Sequence, residues 1–340
     1  MKISKKIKLG LLSLCIGLSI VGCSNVDSTK QENKENSTKK QVSESDGYYP
    51  VTITTHNYNK DEVKITIKEK PKKVLAVYQD SVETMLALGL EDNMVAAAGL
   101  DHKVKEEYKD GFSKVKYLDE FTPSKETAVM LQPDLILGWY SLFSDKNLGD
   151  VSYWHDKGVN TYMAINSGAV EPKTIKNECD DILNIGKIFN VEDKAQKIVD
   201  NINNRVKEVV DSEKGKKQPT TVIVEFYDDK INGYGKSTLG GDMVTKLGAK
   251  LLNEKGNSLS KEDLINLNPD SIFVVYMDRG DKNVPKETKD LIMKDNTLKS
   301  LNAVKNNRVY PIELGEMYCS GIRTIDGIET FANGLYPSDK

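Results

Sequence analysis

The stretch SKETAVMLQPDLIL, from Ser124 to Leu137, is nearly repeated as SKEDLINLNPDSIF, from Ser260 to Phe273. Ser-Lys-Glu opens both copies, Leu-Gln-Pro-Asp answers Leu-Asn-Pro-Asp, and an apolar, strand-like run follows each. The period is far longer than the ~20–50 residues of a solenoid repeat. It points instead to two lobes built on one plan, each with a short helix stopped by proline ahead of a buried strand.

The surrounding sequence repeats the plan. KVLAVY (Lys73–Tyr78) is strand-like, DSVETMLALGL carries Val82, Met85, Leu86 and Leu88 at helical spacing with Gly89 as stop, and NMVAAAG and DLILGWY are further strands. In the second half TTVIVEFY (Thr220–Tyr227) is a strand, GGDMVTKLGA a helix stopped at Gly248, and SIFVVYM and NRVYPI (Asn307–Ile312) strands; GIRTIDGIETFANGLY is the last helix. Strands alternating with helices argue for a parallel sheet in each lobe. Alternation over Val51–Lys68 predicts an N-terminal hairpin. Ser124 fits a helix N-cap, with Thr127 a poor reciprocal partner. Between the lobes, Ile175, Cys179, Ile182, Leu183, Ile185, Ile188 and Phe189 form one helical stripe, and no strand pattern interrupts it. The expected fold is α/β: two βα lobes with mostly parallel sheets (48–170 and 191–340), joined by one long helix within 171–190, with a cleft between them.

The chain begins with Lys2, Lys5, Lys6 and Lys8 and then runs apolar or small from Leu9 to Gly22, short of the ~20 residues a spanning helix needs. Residues 1–22 read as a signal peptide. Ile20-Val21-Gly22-Cys23 resembles a bacterial lipobox, which implies that Cys23 becomes the acylated first residue, anchored outside the cytoplasm. The segment 23–47 is almost wholly polar and cannot bury enough surface to fold, so it reads as a tether. The formal charge of −3 falls further once the leader's lysines are gone, which excludes a nucleic-acid binder. Of four cysteines, only Cys179 and Cys319 then remain; no disulfide framework is implied, and two buried thiols are expected.

Taken with the leader, the segments YPVTI, PKKVLAVYQDSVETMLALGL, SKETAVMLQPDLILGW, SKEDLINLNPDSIFVVY and SGIRTIDGIETFANGLYP resemble, in order and spacing, the solute-binding proteins of ABC importers. The resemblance is nearest to the cluster that delivers ferric siderophores, haem and cobalamin, and covers about Tyr48 to Pro337. It implies a binding protein rather than an enzyme, no resident cofactor, and a dimeric permease with its ATPase as partner. It also implies one surface glutamate per lobe docking on permease arginines; by position these are Glu126 and Glu262. An exposed acid at a helix N-terminus also favours the helix by itself.

Ligands of open α/β sheets sit beyond the carboxyl ends of the strands. Tyr78, Trp139, Tyr140, Tyr227, Lys236, Arg279, Tyr318 and Arg323 fall there, an aromatic and basic set suited to a ferric siderophore. For Arg323 a structural ion pair is the rival. Haem, with Tyr78 as axial ligand, and cobalamin, with Trp139 against the corrin, stay open. GYGKST (Gly233–Thr238) ends like a phosphate-binding loop, but Lys230 stands where its first glycine belongs, so an exported nucleotide enzyme is disfavoured. His56, His102 and His155 are widely spaced, a poor fit to a zinc or manganese binder.

Overall fold

The alternation in Val51–His56 (β1) and Glu62–Ile67 (β2) becomes an antiparallel hairpin, Val51 opposite Ile67, with Val51, Ile53, Ile65 and Ile67 turned inward. The structure is a computed structural model that describes residues 47–227, 230–277 and 283–337. Cys23 and Arg279 lie outside the described residues, as do the leader and the tether up to residue 46.

Val74–Val77 (β3), Met94–Ala98 (β4), Leu135–Gly138 (β5) and Asn160–Met163 (β6) form a wholly parallel sheet in the order β4-β3-β5-β6. β3 and β5 are buried at every position, as expected of strands covered on both faces. The second sheet contains Thr220–Tyr227 (β7), Lys230–Gly233 (β8), Lys250–Leu251 (β9), Ser271–Tyr276 (β10) and Val309–Glu313 (β11). Its order is β11-β10-β7-β8, with β9 also on β7; only β8 runs antiparallel. Pro311, which cannot donate to a neighbour, sits in the edge strand β11.

The longer helices are Gln79–Ala87 (α1), Lys125–Leu131 (α2), Ile175–Phe189 (α3), Glu192–Ser212 (α4), Leu239–Lys246 (α5), Lys261–Leu267 (α6), Val284–Met293 (α7) and Thr324–Leu335 (α8). The chain passes from β6 to β7 only through α3 and α4. Thr174 caps α3 by accepting the Asn177 N–H at 3.1 Å, and Asn190 ends it in the left-handed region. Ile182, Ile185, Ile188 and Phe189 on its inner face are buried, each contributing about 1.5–3 kcal/mol relative to exposure. Gly186 allows α4 to pack closely, since a Cβ there would lie 2.5 Å from the Cβ of Ala195.

The repeated sequence is a repeated device. Ser124 accepts the Thr127 N–H at 3.0 Å, and Ser260 accepts the Asp263 N–H at 3.1 Å. Gln132 and Asn268 end their helices with φ of 49° and 42°. Asp134 then accepts the Lys72 and Lys73 N–H groups at 2.7 and 3.0 Å, and Asp270 accepts the N–H and hydroxyl of Thr220, both at 2.9 Å. Each aspartate pins the start of a neighbouring strand. The capping box is complete only in α6, where Asp263 accepts the Ser260 N–H. In α2 the carboxylate of Glu120 does that work, accepting the Ser124 N–H at 2.7 Å and the Thr127 hydroxyl at 2.9 Å.

Candidate functional site

β3 and β5 are adjacent and parallel, with Ala76 opposite Leu137. Two residues further along each chain come Tyr78 and Trp139. Neighbouring strands lie about 4.8 Å apart, so side chains at matched exits meet face to face. The Tyr78 and Trp139 rings stack at 4.6 Å with planes 29° apart. Tyr78 turns the chain at φ 75°, a strained conformation for a bulky residue that costs about 1–3 kcal/mol. Gly99 is required beside it: a Cβ there would lie 2.9 Å from the Tyr78 ring and 2.8 Å from the Phe121 carbonyl oxygen. The Tyr78 hydroxyl is 3.1 Å from Thr122 Oγ1.

Across the cleft, Tyr318 meets Trp139 edge-on at 5.8 Å, and the Lys173 ammonium lies 4.2 Å from the Tyr318 ring centroid. A cation over an aromatic face is attracted by its quadrupole. The Trp139 N–H donates to Asp80, the second residue of α1. Burial, with Glu178 nearby, raises the Asp80 carboxyl to about 7, against the lowering effect of that N–H. Glu178 is raised to about 7 by burial as well; its oxygens accept from Asn166 Nδ2 and the Gly321 N–H, both at 2.6 Å. Asp181, also pushed up by burial, accepts the Tyr162 hydroxyl at 2.7 Å. These acids join the first sheet, α3 and the turn before α8 beneath the aromatic wall.

A small cavity of about 20 Å³ lies between the two sets of loops, lined by Gln79, Asp101, His102, Trp139, Tyr318 and Ser320, among others. Among the described residues larger hollows occur elsewhere, one of them about 530 Å³ beside Phe226, Leu259 and Leu291. The small cavity is the one bounded by Trp139 and Tyr318, which places it at the cleft.

Tyr78 and Trp139, at strand exits, and Tyr318, ahead of the last helix, come together, and the other described candidates lie elsewhere. Tyr140 stacks on Tyr58 of the hairpin at 4.6 Å, with Lys60 beside the ring, next to the wall rather than on the cavity. Tyr227 is 66% exposed at the end of β7. Lys236 pairs with Glu254 at 2.8 Å on the surface, in the loop that carries GYGKST. Arg323 is buried and spent on ion pairs: Nε and Nη2 donate to Glu83 at 2.6 and 2.9 Å, Nη1 to Glu313 at 3.2 Å, and Nη2 to the Lys103 carbonyl at 2.9 Å. His102 Nδ1 lies 2.9 Å from Glu313, and the Lys105 ammonium 2.8 Å from Asp326. Glu83 comes from α1 and Glu313 from β11, so this network ties one lobe to the other. In this conformation Arg323 has the structural ion-pair role.

Sequence reasoning missed Gln79, Asp101, His102, Lys173 and Ser320. Gln79 directly follows Tyr78, and the rule that found Tyr78 could have found it. Glu126 and Glu262 are both exposed in the first turns of α2 and α6, and neither makes an ion pair among the described residues. Among the described residues no group of three or more His, Cys, Asp or Glu side chains is placed to hold a metal ion, and no helix is long and apolar enough to cross a membrane.

Comparison with known proteins agrees with this architecture. The chain is 28% identical over 330 residues, 95% of each chain, to the uncharacterized ABC transporter substrate-binding lipoprotein YvrC of Bacillus subtilis (strain 168). It is 26% identical to the petrobactin-binding protein YclQ of the same organism, over 93% of this chain and 94% of that one. A periplasmic binding protein from Veillonella parvula DSM 2008 superposes with a TM-score of 0.80 at 31% identity, covering 85% of this chain and 92% of that structure. The family described as periplasmic binding protein matches residues 74–313. Two sheets, a helical passage between them and a cleft at their strand exits are that family's architecture, and the chain belongs to the periplasmic binding protein family.

Proposed function

We propose that this protein is the solute-binding component of an ABC importer, held outside the cytoplasmic membrane by acylated Cys23, and that its ligand is a ferric siderophore. The observation that carries the ligand assignment is the aromatic wall of Tyr78, Trp139 and Tyr318 at the cleft, with Lys173 over the Tyr318 ring. Such a wall offers flat faces to aryl or amide groups and a cation to a negatively charged complex. The name of the petrobactin-binding relative supports the same class of ligand. The Tyr78 hydroxyl, bonded to Thr122, favours a packing role over axial ligation of haem.

A drug-sized ligand needs roughly 300–1,000 Å³. The cavity of about 20 Å³ among the described residues is too small for one, so capture requires the lobes to part. Delivery requires a permease with its ATPase, for which the exposed Glu126 and Glu262 are the docking points, one on each repeat. The lobes are assigned as 48–170 and 191–340, with α3 as the stiff link.

The test is a titration of tryptophan fluorescence with ferric siderophores, haem and cobalamin, using the protein from Ser45 onward, which forms one compact unit. Saturable quenching by a ferric siderophore at micromolar or lower concentration is expected, about −8 kcal/mol or tighter. Binding of haem or cobalamin alone would overturn the ligand assignment while leaving the importer role standing.

A further inference from the structure

Two of the residues that line the cavity between the lobes each carry a buried polar atom with no hydrogen-bond partner: Gln79 Nε2 and Ser320 Oγ. Both residues are more than nine-tenths buried, at 5% and 3% exposure. The other end of the Gln79 amide is committed, because Oε1 accepts the His102 N–H at 3.2 Å. That bond fixes which way the amide points and leaves Nε2 as a free donor. The Ser320 backbone is engaged with Glu178, so its hydroxyl alone is unspent. Folded proteins leave few buried polar groups unpaired, because each costs about 1–3 kcal/mol of desolvation. Two such atoms belong to residues that line one cavity of about 20 Å³, room for a single oxygen-sized group.

We infer that Gln79 Nε2 and Ser320 Oγ together grip one oxygen of the ligand, and that this oxygen is a carbonyl, of amide or hydroxamate type, rather than a free carboxylate. The inference rests on the reading of the cleft as a siderophore site. Two donors call for an acceptor. Asp101 is among the residues that line the same cavity, and an acid there disfavours a second full negative charge, whereas a carbonyl oxygen, neutral or sharing its charge with the ferric ion, fits. Gln79 opens α1 in the first lobe, and Ser320 precedes the turn Gly321–Arg323 that leads into α8 in the second. An acceptor held by both bridges the two lobes, so this contact links recognition to how far they close around the ligand. Gly315 is part of the arrangement: a Cβ there would lie 2.6 Å from His102 Nε2 and displace the ring whose backbone orients Gln79.

The test uses Ser320→Ala and Gln79→Glu, measured against the ferric complexes of desferrioxamine B, enterobactin, petrobactin and citrate. Gln79→Glu keeps the oxygen that accepts from His102 and turns the free donor into an acceptor. For whichever amide- or hydroxamate-bearing complex the wild-type protein binds, Ser320→Ala is expected to weaken affinity about five- to tenfold, and Gln79→Glu more than tenfold. Melting of ligand-free Ser320→Ala should be unchanged or higher, because an unpaired buried hydroxyl is removed. Wild-type affinity in both variants would overturn the inference alone, as would a drop of several degrees in the melting of Ser320→Ala or wild-type binding of ferric citrate only. Failure of the wild-type protein to bind any of the four would remove the siderophore reading and this inference with it.

Discussion

Replacing Arg323 by alanine tests whether its guanidinium serves the fold. It makes four hydrogen bonds, two of them a fork on Glu83, whose side chain is fully buried. Removing it leaves Glu83 and Glu313 without their main counter-charge in a low-dielectric setting. Breaking a buried pair from one side costs about 3–5 kcal/mol. Unfolding entropy near 2.1 cal/mol/K per residue gives about 0.6 kcal/mol/K for the roughly 290 residues of the folded part, so the melting temperature of Arg323→Ala should fall by about 5–8 °C. Arg323→Lys keeps charge but not the fork and should fall less. The double variant Glu83→Leu with Arg323→Leu should recover part of the loss, since neither charge is left stranded. The assay is calorimetric or circular-dichroism melting of ligand-free protein at pH 7. Melting of Arg323→Ala within about 1 °C of wild type, together with lost ligand affinity, would refute the structural role and return Arg323 to the ligand.

Further expectations follow from the same contacts. Asp80 and Glu178 hold their protons up to about pH 7 in the folded chain but release them near pH 4 when unfolded, so the stability they contribute is lost as pH rises from about 4 through 7. Denaturant melts across that window should show wild-type stability declining relative to Asp80→Asn with Glu178→Gln; a relative rise would contradict the burial argument. Trp154 is core and Trp139 lines the cleft, so Trp139→Phe should remove most ligand-dependent quenching while Trp154 emission persists. Undiminished quenching would place the ligand elsewhere. Ser260→Ala, which removes the cap of α6, should cost about 1 kcal/mol in denaturant unfolding, and a neutral result would show the cap idle.

The duplicated plan was legible because both copies use local chemistry. Ser124 and Ser260 cap within one helix turn and Gln132 and Asn268 end their helices, whereas Asp134 and Asp270 reach strands 50 or more residues back, which only the repeat of the motif hints at. β6 and β8 left no mark, since NTYM and KING are short and carry little apolar periodicity, and β8 is recruited by pairing with β7. The aromatic wall was legible because strand exits follow from strand positions, and Tyr78 and Trp139 occupy matched exits of adjacent strands. The network around Arg323 was not: Glu83 is 240 residues away in the chain, and no local pattern says that a guanidinium near the cleft will be consumed by an acid from the other lobe. The same limit hid Ser320, which matters only because Gln79 faces the same 20 Å³ cavity from the opposite lobe.

The central claim is capture of a ferric siderophore and its delivery to a permease, and uptake of radioactive iron from siderophore complexes by intact cells tests both parts. Cells lacking this protein should fail to take up iron from the complex it binds, and the wild-type protein should restore uptake. The double variant Glu126→Lys with Glu262→Lys, at equal surface level and with unchanged ligand affinity, should not restore it, because like charges at a docking interface cost several kcal/mol. Undiminished uptake in cells without the protein would contradict the importer role, and full restoration by the double variant would leave the repeated Ser-Lys-Glu as a helix cap and no more.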